Sequence, residues 1–209
     1  MKLVGFLCAV AIILLPFHSP GADSRDAELT FVAGEVFVKY EDVEEWVAAD
    51  RGMPLAEGDQ LWVAEGGRVE VSLRNGGAIR LDEFSVVDVL VLDRDNAQFF
   101  MVAGDLYGVY PSGKPEMEVE TPFGSLQPRA RTTFRVALAD EGDAVQVDVL
   151  KGNVLAETAG GTTRIEGGTS WYLEEGSTEL TPLDPPDEWD EWNLERSRPA
   201  GPKDHGQRM

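Results

Sequence analysis

Residues 33–83 read AGEVFVKYEDVEEWVAADRGMPLAEGDQLWVAEGGRVEVSLRNGGAIRLDE, and their pattern decides the fold class. Val69, Val71 and Leu73 alternate with Arg68, Glu70, Ser72 and Arg74. After Asn75-Gly76-Gly77 the alternation resumes with Ile79 and Leu81 against Arg80 and Asp82. A period of two puts one set of side chains in a core and the other outside, which is the signature of a strand and not of a helix. Asn-Gly between two such runs predicts a hairpin, because a type I′ turn needs positive φ at both central residues and these two residues tolerate it best. Gly58-Asp59 reads as a turn into a strand. Pro54 has no N–H to give a ladder and belongs at a strand end or edge.

The same pattern extends outward. Val86 to Leu92 (VVDVLVL) is nearly all apolar and predicts a strand covered on both faces. Asp93-Arg94-Asp95-Asn96 then turns the chain. Met117, Val119 and Thr121 alternate with Glu116, Glu118 and Glu120, which reads as an edge strand protected by acids. Val145, Val147 and Val149 supply another inward face. AGEVFV at 33–38 returns as AGDLYGV at 103–109 and more loosely as KGNVLA at 151–156, without a fixed period. The expectation is an all-β fold, a β-sandwich or β-roll of meandering antiparallel hairpins in two related sheets packed face to face, with one short C-terminal helix.

The chain has 209 residues, room for one ordinary domain with a real core. Lys2 followed by an apolar run from Leu3 to Phe17 predicts a signal peptide over 1–22, with cleavage near Gly21 or Ala22 and an uncleaved anchor as the alternative. The single cysteine, Cys8, lies inside that run. Export without disulfides suits a periplasm or the cell exterior. A polar linker at 23–28 leads into a β-domain over 29–180. Pro182, Pro185 and Pro186 mark the next boundary. The 181–198 segment then carries a short helix with Trp189 and Trp192 on one face, and 199–209 reads as a disordered tail. The two tryptophans either pack on the β-domain or anchor a partner. The net charge of −20 argues against nucleic acid and against an anionic membrane face. Contact with a membrane is expected only through an uncleaved N-terminal segment.

In order, the chain shows a G-x-V-x-V strand (Gly34, Val36, Val38), Trp46 before a polar turn, a P-L-x-x-G-D-x-L turn and strand (Pro54, Leu55, Gly58, Asp59, Leu61), and a G-x-x-I-R-L return (Gly76, Ile79, Arg80, Leu81). Further on, Thr121-Pro122 precedes Phe134-Arg135-Val136. This succession resembles the FecR domain of exported bacterial proteins over roughly 29–173. Arg131-Thr132-Thr133-Phe134 stands where that pattern has glycines. The resemblance implies a periplasmic β-domain, and FecR itself looks like a sensor that relays receptor occupancy to a cytoplasmic sigma factor. Here the apolar run begins at Leu3, and the expectation is therefore that the chain does not carry that relay by itself.

Catalytic chemistry has little to stand on. The two histidines, His18 and His205, fall in the leader and the tail, so neither a Ser-His-Asp nor a Cys-His arrangement can be assembled from the β-region. No cofactor and no metal site is predicted. Asp93, Asp95 and Asn96 start like a calcium loop but lack its glycine and distal glutamate, and read as a plain turn. A carboxylate pair for glycoside hydrolysis would be sought at Asp82-Glu83 or Asp187-Glu188, where turn and cap readings compete. Arg129, Arg131 and Arg135 form the one basic cluster, on one strand face if the register is unbroken, and either pair with acidic strands or bind an anion or carboxylate-bearing glycan. Three functional classes follow. The chain is a non-enzymatic envelope interaction module with a protein or glycan partner, an accessory component of periplasmic signal sensing, or a carbohydrate-active enzyme. Partner contacts are expected at Trp189, Trp192, Arg129, Arg131 and Arg135.

Overall fold

A computed structural model of the chain describes residues 26–139, 141–174 and 176–198. The predicted signal peptide and the tail lie outside the described residues. In chain order the strands are β1 (Ala27–Ala33), β2 (Val36–Lys39), β3 (Val47–Ala48), β4 (Pro54–Leu55), β5 (Gln60–Val63), β6 (Arg68–Leu73), β7 (Ala78–Leu81) and β8 (Val86–Leu92). They continue with β9 (Asn96–Ala103), β10 (Asp105–Tyr110), β11 (Glu116–Thr121), β12 (Gly124–Leu138), β13 (Ala144–Thr158), β14 (Gly161–Glu166), β15 (Thr169–Glu174) and β16 (Ser177–Pro182), followed by one helix, α1 (Glu188–Arg196).

The all-β class with a short C-terminal helix is as expected, but the two layers are one sheet. Its strands run β3-β2-β5-β8-β9-β11-β12-β10-β7-β6-β1-β4, and β13 adds on the free side of β12 and carries β14 and β15, with β16 beyond. The fold-over is made by the two 15-residue strands β12 and β13. The first part of β12 pairs with β11 and its second part with β10. β13 follows the same division, pairing with β14 on one side of the bend and β15 on the other. Between Arg129 and Thr133 the ladder is interrupted and Ala130 takes a left-handed φ of 49°. Such a bulge bends and twists a strand. The Thr132 hydroxyl lies 2.6 Å from the Arg129 carbonyl and 3.1 Å from that of Asn153, and can donate to either to hold the bend. The bend falls where the sequence departs from the glycines of the FecR pattern.

One hydrophobic core fills the space between the halves. Leu29, Val69, Val71, Ile79, Leu81, Leu106, Phe134, Val136, Val145, Val147 and Trp171 come from one half, and Val38, Leu61, Val87, Phe99, Val119, Val154 and Ile165 from the other. These are the inward members of the alternation.

Several local expectations are corrected by the ladder. The 68–81 hairpin forms, with Val69 opposite Leu81 and Ser72 opposite Ala78. Its turn is not type I′, since only Gly76 has positive φ, 79°. Gly76 N–H donates to the Leu73 carbonyl and Leu73 N–H to that of Gly77, a turn closed by a left-handed glycine. Asn75 acts through its side chain, accepting from Gly77 N–H and donating to the Pro115 carbonyl. β8 is not covered on both faces: its residues alternate buried and part-exposed as far as Leu90. β11 is not an edge either. It sits between β12 and β9, and its pairing with β9 is parallel, against the antiparallel expectation. Glu118 remains at a central position by accepting from Gln98 and Gln127 on the flanking strands.

Candidate functional site

In the β1-to-β15 half of the sheet, register alone builds a polar row across the outer face. Glu70 on β6 stands opposite Arg80 on β7, Arg80 opposite Tyr107 on β10, and Tyr107 opposite Arg135 on β12. Phe31 on β1 extends the row at one end and Asp148 on β13 at the other. α1 lies over it.

The helix is built for that place. Asp187 caps it, accepting from Asp190 N–H at 2.8 Å while Asp190 accepts from Asp187 N–H. This reciprocal pair satisfies donors that every helix start leaves open. Arg135 bridges both caps, at 2.7 Å to Asp187 and 3.4 Å to Asp190, and holds Asp105 through a two-pronged contact of 2.6 and 2.9 Å. At the other end Arg80, buried, donates to the Asn193 carbonyl at 3.0 Å and to the Ser197 hydroxyl at 2.9 Å, so a cation meets the negative end of the helix dipole. Arg80 and Arg196 converge on Glu70 at 2.7 and 2.8 Å, and Thr30 donates to it as well. Trp189 and Trp192 stack at 5.0 Å with Arg68 over both rings, and Arg196 covers Phe31 at 4.3 Å.

The electrostatics follow the burial and the partners. Burial works to raise the Glu70 carboxyl, but hydrogen bonds from Arg196, Thr30 and Arg80 outweigh it and hold it at about 2. Burial pushes Asp105 up to about 6 against the pull of Arg135. The Tyr107 hydroxyl is pushed up to about 12, again by burial first. Because Glu70 titrates lower in the folded state than its ordinary 4.5, the unfolded chain takes up its proton first. Its stabilisation is therefore complete above pH 4.5 and is lost as pH falls from there towards 2, a change of roughly 3 kcal/mol. Chemical denaturation of the protein and of Glu70→Gln across that window checks this. The gap in stability between the two should narrow steadily in acid, and a constant gap would show that Glu70 is not held by these partners.

This layer settles the position of the predicted contact residues. Trp189 is 3% exposed and Trp192 half-buried, so the tryptophans pack on the β-domain. Trp189 is thus no free anchor. Arg135 is committed to three carboxylates. Arg129 and Arg131 do not join it, because the bulge at Ala130 separates them from the second half of β12. Both are exposed, and Arg129 donates to Gln127. The candidate acids have structural uses. Asp82 pairs with Arg68 at 2.7 Å, Glu83 accepts from Gly66 N–H and Asp187 is the helix cap. Asp93 accepts from the N–H groups of Asp95 and Asn96, a turn as read from the sequence. Among the described residues no group of three or more His, Cys, Asp or Glu is placed to hold a metal ion, and no helix is long and apolar enough to cross a membrane.

A second feature escaped the sequence reading. At the β3 end of the sheet, Phe37 on β2 and Trp62 on β5 are cross-strand partners whose rings stack at 5.1 Å. Trp46 meets Trp62 edge-on, at 5.8 Å and 71°. The three rings form an open corner, with Trp62 38% and Trp46 40% exposed and Val43 and Val47 exposed beside them. The signal was available: Phe37 and Trp62 occupy the outward phase of strands whose inward phase is Val36, Val38, Leu61 and Val63.

Residues 59–155 match the family model described as FecR protein. Two crystal structures of a protein described as a "putative anti-sigma factor from Parabacteroides distasonis" have a similar fold, each with a TM-score of 0.53 and 16% sequence identity. In each case the match covers 60% of this chain and 60% of that one. No curated protein matches the sequence.

Proposed function

We propose that the chain is an exported, non-enzymatic FecR-domain protein that serves as an interaction module of the cell envelope. The observation that carries this is the FecR-model match at 59–155, on a scaffold where the candidate acids Asp82, Glu83 and Asp187 serve an ion pair, a loop contact and a helix cap. Export rests on the apolar N-terminal run. Within this reading Arg129 and Arg131 remain as contact residues, whereas Trp189, Trp192 and Arg135 act by holding α1. A second reading, an accessory role in periplasmic signal sensing, draws support from the fold it shares with proteins described as anti-sigma factors.

Two measurements test the proposal. Mass spectrometry of material recovered from the periplasm should find a chain beginning near Ala22 or Asp23, and an intact Met1 would replace export by anchoring. The mature protein, immobilised and exposed to envelope extract, should retain a partner at fixed stoichiometry. Cleavage of an envelope glycan by the purified protein, abolished by replacing a single acid, would overturn the non-enzymatic reading.

A further inference from the structure

We propose that the corner formed by Phe37, Trp46 and Trp62, with the acidic 41–45 loop beside it, is a docking site for a Lys- or Arg-bearing segment of a partner protein. This deepens the interaction-module reading and rests on it.

The molecule contains its own precedent. Where aromatic rings gather under α1, guanidinium groups lie on them: Arg68 over the stacked Trp189 and Trp192, and Arg196 over Phe31. The face of an aromatic ring is electronegative and attracts a cation, and stacking and edge-on contacts between rings leave outward faces for it. The Phe37–Trp62–Trp46 group has the same ring-on-ring geometry, yet among the described residues no Arg or Lys lies over it. It is an aromatic cluster with its cation missing.

The surrounding charge specifies the occupant. Glu41, Asp42, Glu44 and Glu45 immediately precede Trp46, all exposed, and none is ion-paired among the described residues. Beyond Trp62 on the same outward face, Asp88 stands in register with Gln60, whose side chain it engages, and adds a further carboxylate to that face. Lys39, opposite Gln60, is the cation on the outward face of β2 and is not placed over the rings. A chain of net charge −20 repels phosphate-rich surfaces, so an anionic bilayer or nucleic acid is excluded as occupant and a basic peptide is drawn in. β3 ends the sheet path, paired only with β2, so an extended segment can add to its free side and lay alternate basic side chains towards the corner.

The test uses the full chain and a short end-blocked peptide alternating Arg and Thr, with the same peptide carrying citrulline for Arg as control. Citrulline keeps the shape and removes the charge. Binding is read by calorimetry and by the fluorescence of the exposed tryptophans. The Arg peptide should bind, the citrulline peptide should bind at least about ten-fold more weakly, and salt should weaken the first and not the second. Trp62→Ala should weaken binding about ten-fold. Glu44→Gln/Glu45→Gln should weaken it about three- to five-fold at low salt with an unchanged melting temperature, which keeps the test sound if Trp62→Ala folds poorly. The proposal is overturned if the Arg peptide does not bind, if the citrulline peptide binds equally, if both variants bind like the wild type, or if anionic vesicles or neutral glycans compete for the same rings. An envelope partner still captured by Trp62→Ala and by Glu44→Gln/Glu45→Gln would remove this docking site while leaving the interaction module in place. A hydrolytic activity would instead remove the module itself.

Discussion

Arg80→Ala should destabilise the protein by about 3 kcal/mol and free α1 from the sheet. Arg80 is 5% exposed and joins the Glu70 carboxylate, which it shares with Arg196 and Thr30, to the Asn193 carbonyl and the Ser197 hydroxyl. Truncation opens a cavity beside Glu70, which keeps its contacts with Arg196 and Thr30, and leaves the Asn193 carbonyl and the Ser197 hydroxyl without their donor from the sheet. Removing one member of a buried ionic group costs more than the group contributes over an apolar replacement, because the carboxylate left behind is less fully compensated. The measurement is thermal unfolding together with limited proteolysis. The variant should melt lower and be cut within 183–198 before the β-region is touched. The companion Glu70→Leu/Arg80→Met removes both charges and lets Arg196, already part-exposed, turn to solvent. It should recover much of the loss. If the double variant is as unstable as Arg80→Ala, the geometry of Arg80 against the helix terminus matters more than the charge left on Glu70.

Gly108→Val should cost about 3 kcal/mol, through the opposite mechanism of overfilling. Gly108 lies on β10 directly opposite Phe134 on β12 and Ile79 on β7. A Cβ at Gly108 would fall onto the Phe134 ring, which is wholly buried. The glycine is therefore the recess that accommodates the ring. Gly108→Ala should show a smaller loss of the same kind, and Phe134→Leu in the Gly108→Val background should be less harmful than in the wild type. That coupling, measured as a double-mutant cycle in denaturant, identifies overlap as the cause. Additive losses would show that the strand backbone, and not the ring, resents the side chain.

The inward faces of the strands were legible in the sequence because alternation is a local property. Val69, Val71, Ile79 and Leu81 declare a buried side without reference to anything distant. The hairpin at Asn75-Gly76 was legible for the same reason, though the turn type was not: that depended on Asn75 finding Pro115, far along the chain. What depended on register between remote strands stayed hidden. Glu116, Glu118 and Glu120 looked like edge protection because nothing local announces that β9 lies parallel alongside. Arg129, Arg131 and Arg135 shared a face only on an unbroken strand, and the Ala130 bulge carries no glycine to mark it. The polar row was the hardest to read. Glu70, Arg80, Tyr107 and Arg135 each look like an ordinary wet-face residue, and only three successive strand pairings bring them into line beneath α1. Trp189 and Trp192 were correctly placed on a short helix at spacing three, but their burial depended on that row.

The way the chain threads its sheet sets the smallest piece that can stand alone. The family match begins at residue 59 and ends at 155, yet β5 and β6 inside it are zipped to β2 and β1 before it, and β13 is zipped to β14 and β15 after it. A fragment trimmed to the matched residues would bare one border on each of three strands at once, with their N–H and C=O groups free to recruit other chains. Such a fragment is an aggregation template and not a minimal domain. The unit that folds in this chain is therefore wider than the stretch the family model matches, because strands on both sides of it supply the backbone partners of β5, β6 and β13.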